Sequence, residues 1–232
     1  MNRNPFDLPV DGLDETYPNM EDMFLAFEVA TVAEPGMAVK IGNELVDARH
    51  IKGMVAYSTF LVTTDTPIPL SRKDRYSTAE MILDEVDNYL DISVETDREV
   101  AAAMAELYAK TGRPIGCLAA LLRAKRLGET ISDFQINQCR KKVLAMDVNR
   151  MGDYAEDAYR LASELDHLGA KKLTEVFYQI ASESDEQVLS GKAALALLDY
   201  YDKHLREDPA YRSEVEKYRK IAEECGFPEL VI

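Results

Sequence analysis

"AMAELYAKTGRPIGCLAALLRAKRLGE", residues 103–129, reads as two apolar-faced helices folded back on each other around a corner at Gly112-Arg113-Pro114. Whether this hairpin occurs once or belongs to a stack decides the fold, because only a stack makes an extended binding surface. Within it, Ala105, Tyr108, Gly112, Cys117, Leu121 and Ala124 stand at offsets 0, +3, +7, +12, +16 and +19. Ala162, Leu165, Gly169, Thr174, Tyr178 and Ala181 repeat those offsets. Both sets run small, large apolar, Gly, small, large apolar, Ala. A tight helical hairpin asks for that order. Small residues let the two backbones approach, large apolar groups fill the gaps, and Gly turns the corner in a left-handed conformation.

The spacing resembles the tetratricopeptide repeat and its relative, the Sel1-like repeat, over about residues 95–226. "YRKIAEECG", 218–226, is similar to the second helix of a Sel1-like unit, and "KAALALLDYY", 192–201, to the first helix before it. A weaker echo starts at Gly42 with Leu45, Met54 and Leu61, but Arg49 stands where the corner glycine belongs. The two good units begin 57 residues apart rather than the family's 34, and no Trp opens a unit. The resemblance implies an all-α fold of antiparallel hairpins stacked as a right-handed array. It also implies a groove lined by first helices. In the first unit the inward positions are Glu99, Ala102, Glu106, Ala109 and Lys110; in the second they are Glu156, Tyr159, Ser163, Asp166 and His167. Such a groove is acidic and prefers a basic or mixed-charge protein or peptide.

Outward from the repeats, residues 1–18 carry three prolines and many acids and read as an irregular arm. Residues 19–77 read as a less regular N-terminal region that caps the array, and 78–232 as the repeat domain. A helix over 19–34 starts at Asn19 or Glu21 and stops at Pro35-Gly36. Residues 37–62 favour helix, with the β-branched "FLVTT" (60–64) as the competing strand. "DTPIPLSRKDRYS", 65–77, is the linker. Helices then follow from Thr78 to about 92 and at 96–111, 114–127, 131–146, 149–168, 170–183, 187–206 and 210–225. Thr96 with Glu99 forms the pattern of a capping box, Ser132 or Asp133 starts the helix at 131, and Gly128, Gly169 and Gly226 close helices.

Forty-two acidic against twenty-seven basic residues give a net charge of −15, of which −11 falls within residues 1–95. That field disfavours nucleic acid and anionic membranes as partners. Three dispersed cysteines, Cys117, Cys139 and Cys225, suit a reducing compartment as small core residues. No run of 18 apolar residues and no Arg/Lys-led apolar leader is visible, so the expected location is cytoplasmic. Glycine-rich phosphate loops, G-x-S-x-G and H-E-x-x-H are missing, and His50, His167 and His204 are scattered. The expectation is therefore no catalytic residue, no metal and no cofactor: a non-enzymatic adaptor, with room for a homo-oligomer. The alternative is an immunity-type inhibitor of a basic toxin or nuclease. A third option is an enzyme with a site assembled from scattered residues, which a closed pocket holding buried carboxylates or His50 would favour.

Overall fold

The computed structural model describes residues 19–89, 92–204 and 211–227; the acidic arm expected over 1–18 lies outside them. Among the described residues every regular element is helical. The α-helices are α1 (Met20–Ala33), α2 (Pro35–Asp47), α3 (Ile51–Thr63), α4 (Arg72–Tyr89), α5 (Val94–Thr111) and α6 (Pro114–Arg126). They continue with α7 (Asp133–Leu144), α8 (Ala155–His167), α9 (Lys171–Ser182), α10 (Gln187–His204) and α11 (Tyr211–Glu224), with a 3-10 turn at Val148–Tyr154. Packing divides the chain into two compact units, residues 1–111 with 127–129 and residues 112–126 with 130–232.

In the first unit the helices pack mainly with sequence neighbours, α1 on α2, α2 on α3, α3 on α4 and α4 on α5, with α5 also against α3. Asn19 caps α1 by accepting the Asp22 N–H at 2.9 Å, and Pro35 sits in the first turn of α2, where its missing N–H costs nothing. Residues 37–62 are helical on either side of a turn at 48–50, and "FLVTT" ends α3 rather than forming a strand. Phe60, Leu61 and Val62 are buried from a helical backbone, and Ser58 and Thr59 return their hydroxyls to Met54 and Val55 carbonyls. Tertiary burial outweighs β-propensity there.

The weak echo at Gly42 is a real hairpin. Arg49 turns its corner at φ +52, the one non-glycine in the left-handed region among the described residues. Gly42 is needed for contact, since a Cβ there would lie 2.3 Å from the Tyr57 ring. Left-handed backbone costs an L-residue about 1–2 kcal/mol, and a glycine loses about 0.5–1 kcal/mol more on folding. The Arg49–Glu85 ion pair is 3.7 Å long and exposed, so it offsets little. Arg49→Gly should therefore stabilise this unit by a few tenths to about 1 kcal/mol, read as a rise in urea midpoint at constant slope; a fall would show that Arg49 contributes more than its backbone costs.

Two helix starts correct the sequence expectation. The helix expected from Thr78 begins at Arg72, because Ser71 accepts the Asp74 N–H at 3.2 Å. Arg75 then reaches back to the Leu61 and Thr64 carbonyls at 2.9 and 2.6 Å, satisfying the C-terminus of α3 and shortening the linker. The helix expected from Thr96 begins at Val94, capped by Ser93 through the Thr96 N–H. Thr96 and Glu99 match a capping box but lie inside the helix.

In the second unit α8 and α9 pair most extensively, α9 packs on α10 and α10 on α11, while α6 packs on both α7 and α8. Ala162, Thr174 and Ala181 are fully buried and Gly169 turns the corner at φ +69, as the repeated spacing predicts. In α10–α11, Tyr201 and Tyr218 lie 5.8 Å apart, ring to ring, and Gly226 closes α11 at φ +89. Ser132 caps α7 in a full capping box with Gln135. A continuous helix over 149–168 is not formed. Residues 148–154 take a 3-10 turn instead, where Asn149 and Gly152 are weak helix formers.

The opening stretch does supply two helices and an exposed left-handed Gly112, φ +74, and the other five spaced residues are all buried. Yet the boundary between the units falls at Gly112. α5 takes α3 and α4 as its main partners; α6 takes α7 and α8. Two arginines fix that second choice. Arg113 donates to both Asp157 oxygens, at 3.0 Å from Nε and 2.6 Å from Nη2, and Arg126 grips Glu164 with two bonds of 2.8 Å. Both carboxylates are buried on α8.

Candidate binding surfaces

The expected groove residues fall in both units. In the first, Glu99 and Ala102 line a cavity of about 750 Å³ with Phe24, Phe27 and Lys52, whereas Glu106 and Lys110 are paired with each other at 3.7 Å along the helix. His50 has a structural task here. Its Nδ1 caps α3 by accepting the Gly53 N–H at 3.2 Å, and its ring rests 5.5 Å from Phe24.

In the second unit three expected residues converge with others the spacing did not single out. Tyr159, Ser163 and Asp166 recur at helical intervals on α8, the spacing that puts side chains on one face. Tyr159 packs at 5.6 Å against Tyr178 of α9, which hydrogen-bonds Ser163. Asp166 faces His204 of α10, with Nε2 to Oδ1 at 3.9 Å, and the His204 ring packs at a tilt against Tyr200, 5.0 Å between centroids. Tyr200 donates to the Lys171 carbonyl at 2.7 Å, which ties α10 to the start of α9. Asp199 and Lys203 extend the cluster along α10, paired at 2.6 Å, and that bond with the Asp199 charge raises the Lys203 ammonium above its ordinary pKa. Glu156 lies to one side, held by Arg160 at 2.8 Å, and His167 is exposed at the helix end. Asp199, Lys203 and His204 are not among the expected groove positions, because no offset within one hairpin points to the first helix of the next.

Burial pushes the Tyr178 hydroxyl up to about 12, helped by the nearby Tyr159 and Asp166, and burial alone does the same for Tyr57. Each must ionise near its ordinary value of 10.0 once unfolded. The stability they give is whole below pH 10 and is lost as pH rises towards 12. In an alkaline titration that follows the ring resonances of Tyr57 and Tyr178, their ionisation should arrive together with loss of helical circular dichroism; ionisation of these two with the helices intact would contradict that.

A second surface on this unit is apolar. α6, α7, α8 and α9 enclose a groove of about 680 Å³ floored by Leu118, Val143, Leu161, Leu165 and Phe177. Behind it the thiols of Cys117 and Cys139, on α6 and α7, meet at 3.0 Å in the core. Among the described residues no cluster of three or more His, Cys, Asp or Glu is arranged to hold a metal, and no helix is long and apolar enough to cross a membrane. Set against family models, curated proteins and solved structures, the chain shows no match.

Proposed function

We propose that this chain is a non-enzymatic interaction scaffold, a tetratricopeptide-like or Sel1-like array. In this reading its acidic, tyrosine-bearing face on α8 and α10 binds a basic or mixed-charge protein or peptide in the cytoplasm. The observation that carries it is the convergence of Tyr159, Ser163 and Asp166 with Asp199 and His204 across successive first helices. Asp166 and Asp199 supply charge, and the half-buried Tyr159 supplies a rigid amphipathic contact at little entropic cost. The hairpins α8–α9 and α10–α11, with their left-handed glycine ends, support the array.

Fluorescence anisotropy with a labelled arginine-rich peptide tests this. Asp166→Asn with Asp199→Asn should weaken binding about tenfold, the equivalent of about 1.4 kcal/mol, without changing the circular dichroism spectrum. Unchanged affinity in that variant, or equal affinity for a glutamate-rich peptide, would remove the assignment. The net charge of −15 also favours the inhibitor reading. A single partner bound tightly, with an association rate falling steeply as salt rises, would select it over an adaptor with several looser partners.

A further inference from the structure

Cys117 on α6 and Cys139 on α7 enter the same core space, with their sulfurs 3.0 Å apart and both side chains buried. Both carry free thiols. A disulfide bond is about 2.0 Å long, so a shift of about 1 Å closes the pair. The third cysteine, Cys225, follows α11 and lies against Gly191 of α10, outside this contact. α7 is the helix that such a bond affects most. Of its 12 residues only Cys139 and Val143 are buried, and α6 is the one helix it packs against extensively. Phe134 and Leu144 on it are 69% and 76% exposed. The Lys125–Asp133 ion pair also joins α7 to α6, at 2.8 Å, but it lies in solvent and adds little. On its other side α7 borders the apolar groove through Ile136, Arg140 and Val143. α6, by contrast, is fixed to α8 through Arg113 and Arg126. A helix with so few buried contacts opens locally before its unit unfolds.

We infer that Cys117 and Cys139 form a reversible dithiol–disulfide switch that locks α7 onto α6 and fixes one wall of the apolar groove. The oxidant is a small-molecule disulfide of the glutathione class. When α7 opens, the Cys139 thiol loses its proton and attacks one sulfur of that disulfide, which releases one small thiol and leaves a mixed disulfide. As α7 recloses, the Cys117 thiol loses its proton and attacks the Cys139 sulfur. The protein disulfide forms and the second small thiol leaves. The small disulfide is thus reduced to two thiols, which take up the two protons, while the protein pair is oxidised. Excess reduced thiol reverses both steps. Cys139 reacts first because it moves with α7, whereas Cys117 stays in the α6 core. Burial keeps both sulfurs out of reach while α7 is docked, so opening of α7 sets the rate. Core packing alone asks for a small residue at each position, not for two sulfurs in contact. The bond ties residues 22 apart in sequence and removes the state in which α7 swings free. In a reducing compartment such a bond is transient and responds to redox conditions.

The test incubates the full chain with oxidised glutathione and, in parallel, with excess dithiothreitol. Oxidation should lower the intact mass by two hydrogens, and non-reducing peptide mapping should recover one cross-link, between Cys117 and Cys139. Dithiothreitol should restore both thiols. Amides of α7 should exchange with deuterium at least tenfold more slowly in the oxidised chain, while those of α10 stay unchanged. Cys139→Ala should abolish the cross-link and the slowing, and Cys225→Ala should leave both in place. Mapping and exchange are read on the unaltered chain, so they decide the matter even if Cys139→Ala fails to fold. Absence of the cross-link, a lasting glutathione adduct, a bond to Cys225 or a disulfide-linked dimer would each overturn the inference. So would α7 amides that exchange at the same rate, or faster, after oxidation.

Discussion

Arg113→Ala should lower the unfolding free energy by about 3–5 kcal/mol, the cost of leaving a buried carboxylate without its partner. Asp157 is wholly buried, and Arg113, itself mostly covered, gives it two short bonds from the position just before α6. Removing the guanidinium leaves the charge in place with neither water nor a donor to replace what was lost. Asp157→Asn should cost less, because the remaining amide carries no charge. A paired replacement by apolar residues of similar volume, Arg113→Met with Asp157→Leu, should recover much of the loss, because both desolvation costs disappear with the charges. Urea unfolding of the three variants measures this. If the double replacement is as damaging as Arg113→Ala, packing around α8 rather than the buried charge is the source of the effect.

Gly42→Ala should destabilise by about 1–3 kcal/mol, the usual range for overpacking a tight core, although helix propensity alone would make alanine about 1 kcal/mol better. The sign therefore decides between the two effects. The new methyl would fall 2.3 Å from the Tyr57 ring, which has no room to retreat: Tyr57 is fully buried, its hydroxyl donates to Asn43 at 3.0 Å, and Phe27 meets it edge-on at 6.0 Å. In a double-mutant cycle, Tyr57→Leu should make Gly42→Ala far less harmful, with a coupling of at least about 1 kcal/mol. Additive losses would mean that the hairpin closes differently from the contact described above.

The spacing of small residues and glycines made the α8–α9 hairpin legible before any coordinates, because every contact it specifies lies within about twenty residues. The same spacing in the opening stretch located its helices and its corner but not the neighbours those helices choose. Nothing local to Arg113 or Arg126 announces carboxylates 44 and 38 residues away. The starts of α4 and α5 were read late for a different reason. Their first turns are polar, so the apolar period appears only a turn after Ser71 and Ser93 have begun the helix. The resemblance offered Tyr159, Ser163 and Asp166 as groove positions, and these share a face of α8, but Asp199 and His204 come from the next hairpin.

Most helices in each unit pack against neighbours close in the chain, and the larger part of the first unit is one uninterrupted segment, residues 1–111. Such short-range wiring lets a nascent polypeptide settle α1 through α5 while the ribosome is still making the second unit, with little loop entropy to overcome at any step. A stall during translation at that point would leave a cooperative, protease-resistant fragment rather than a tangled one.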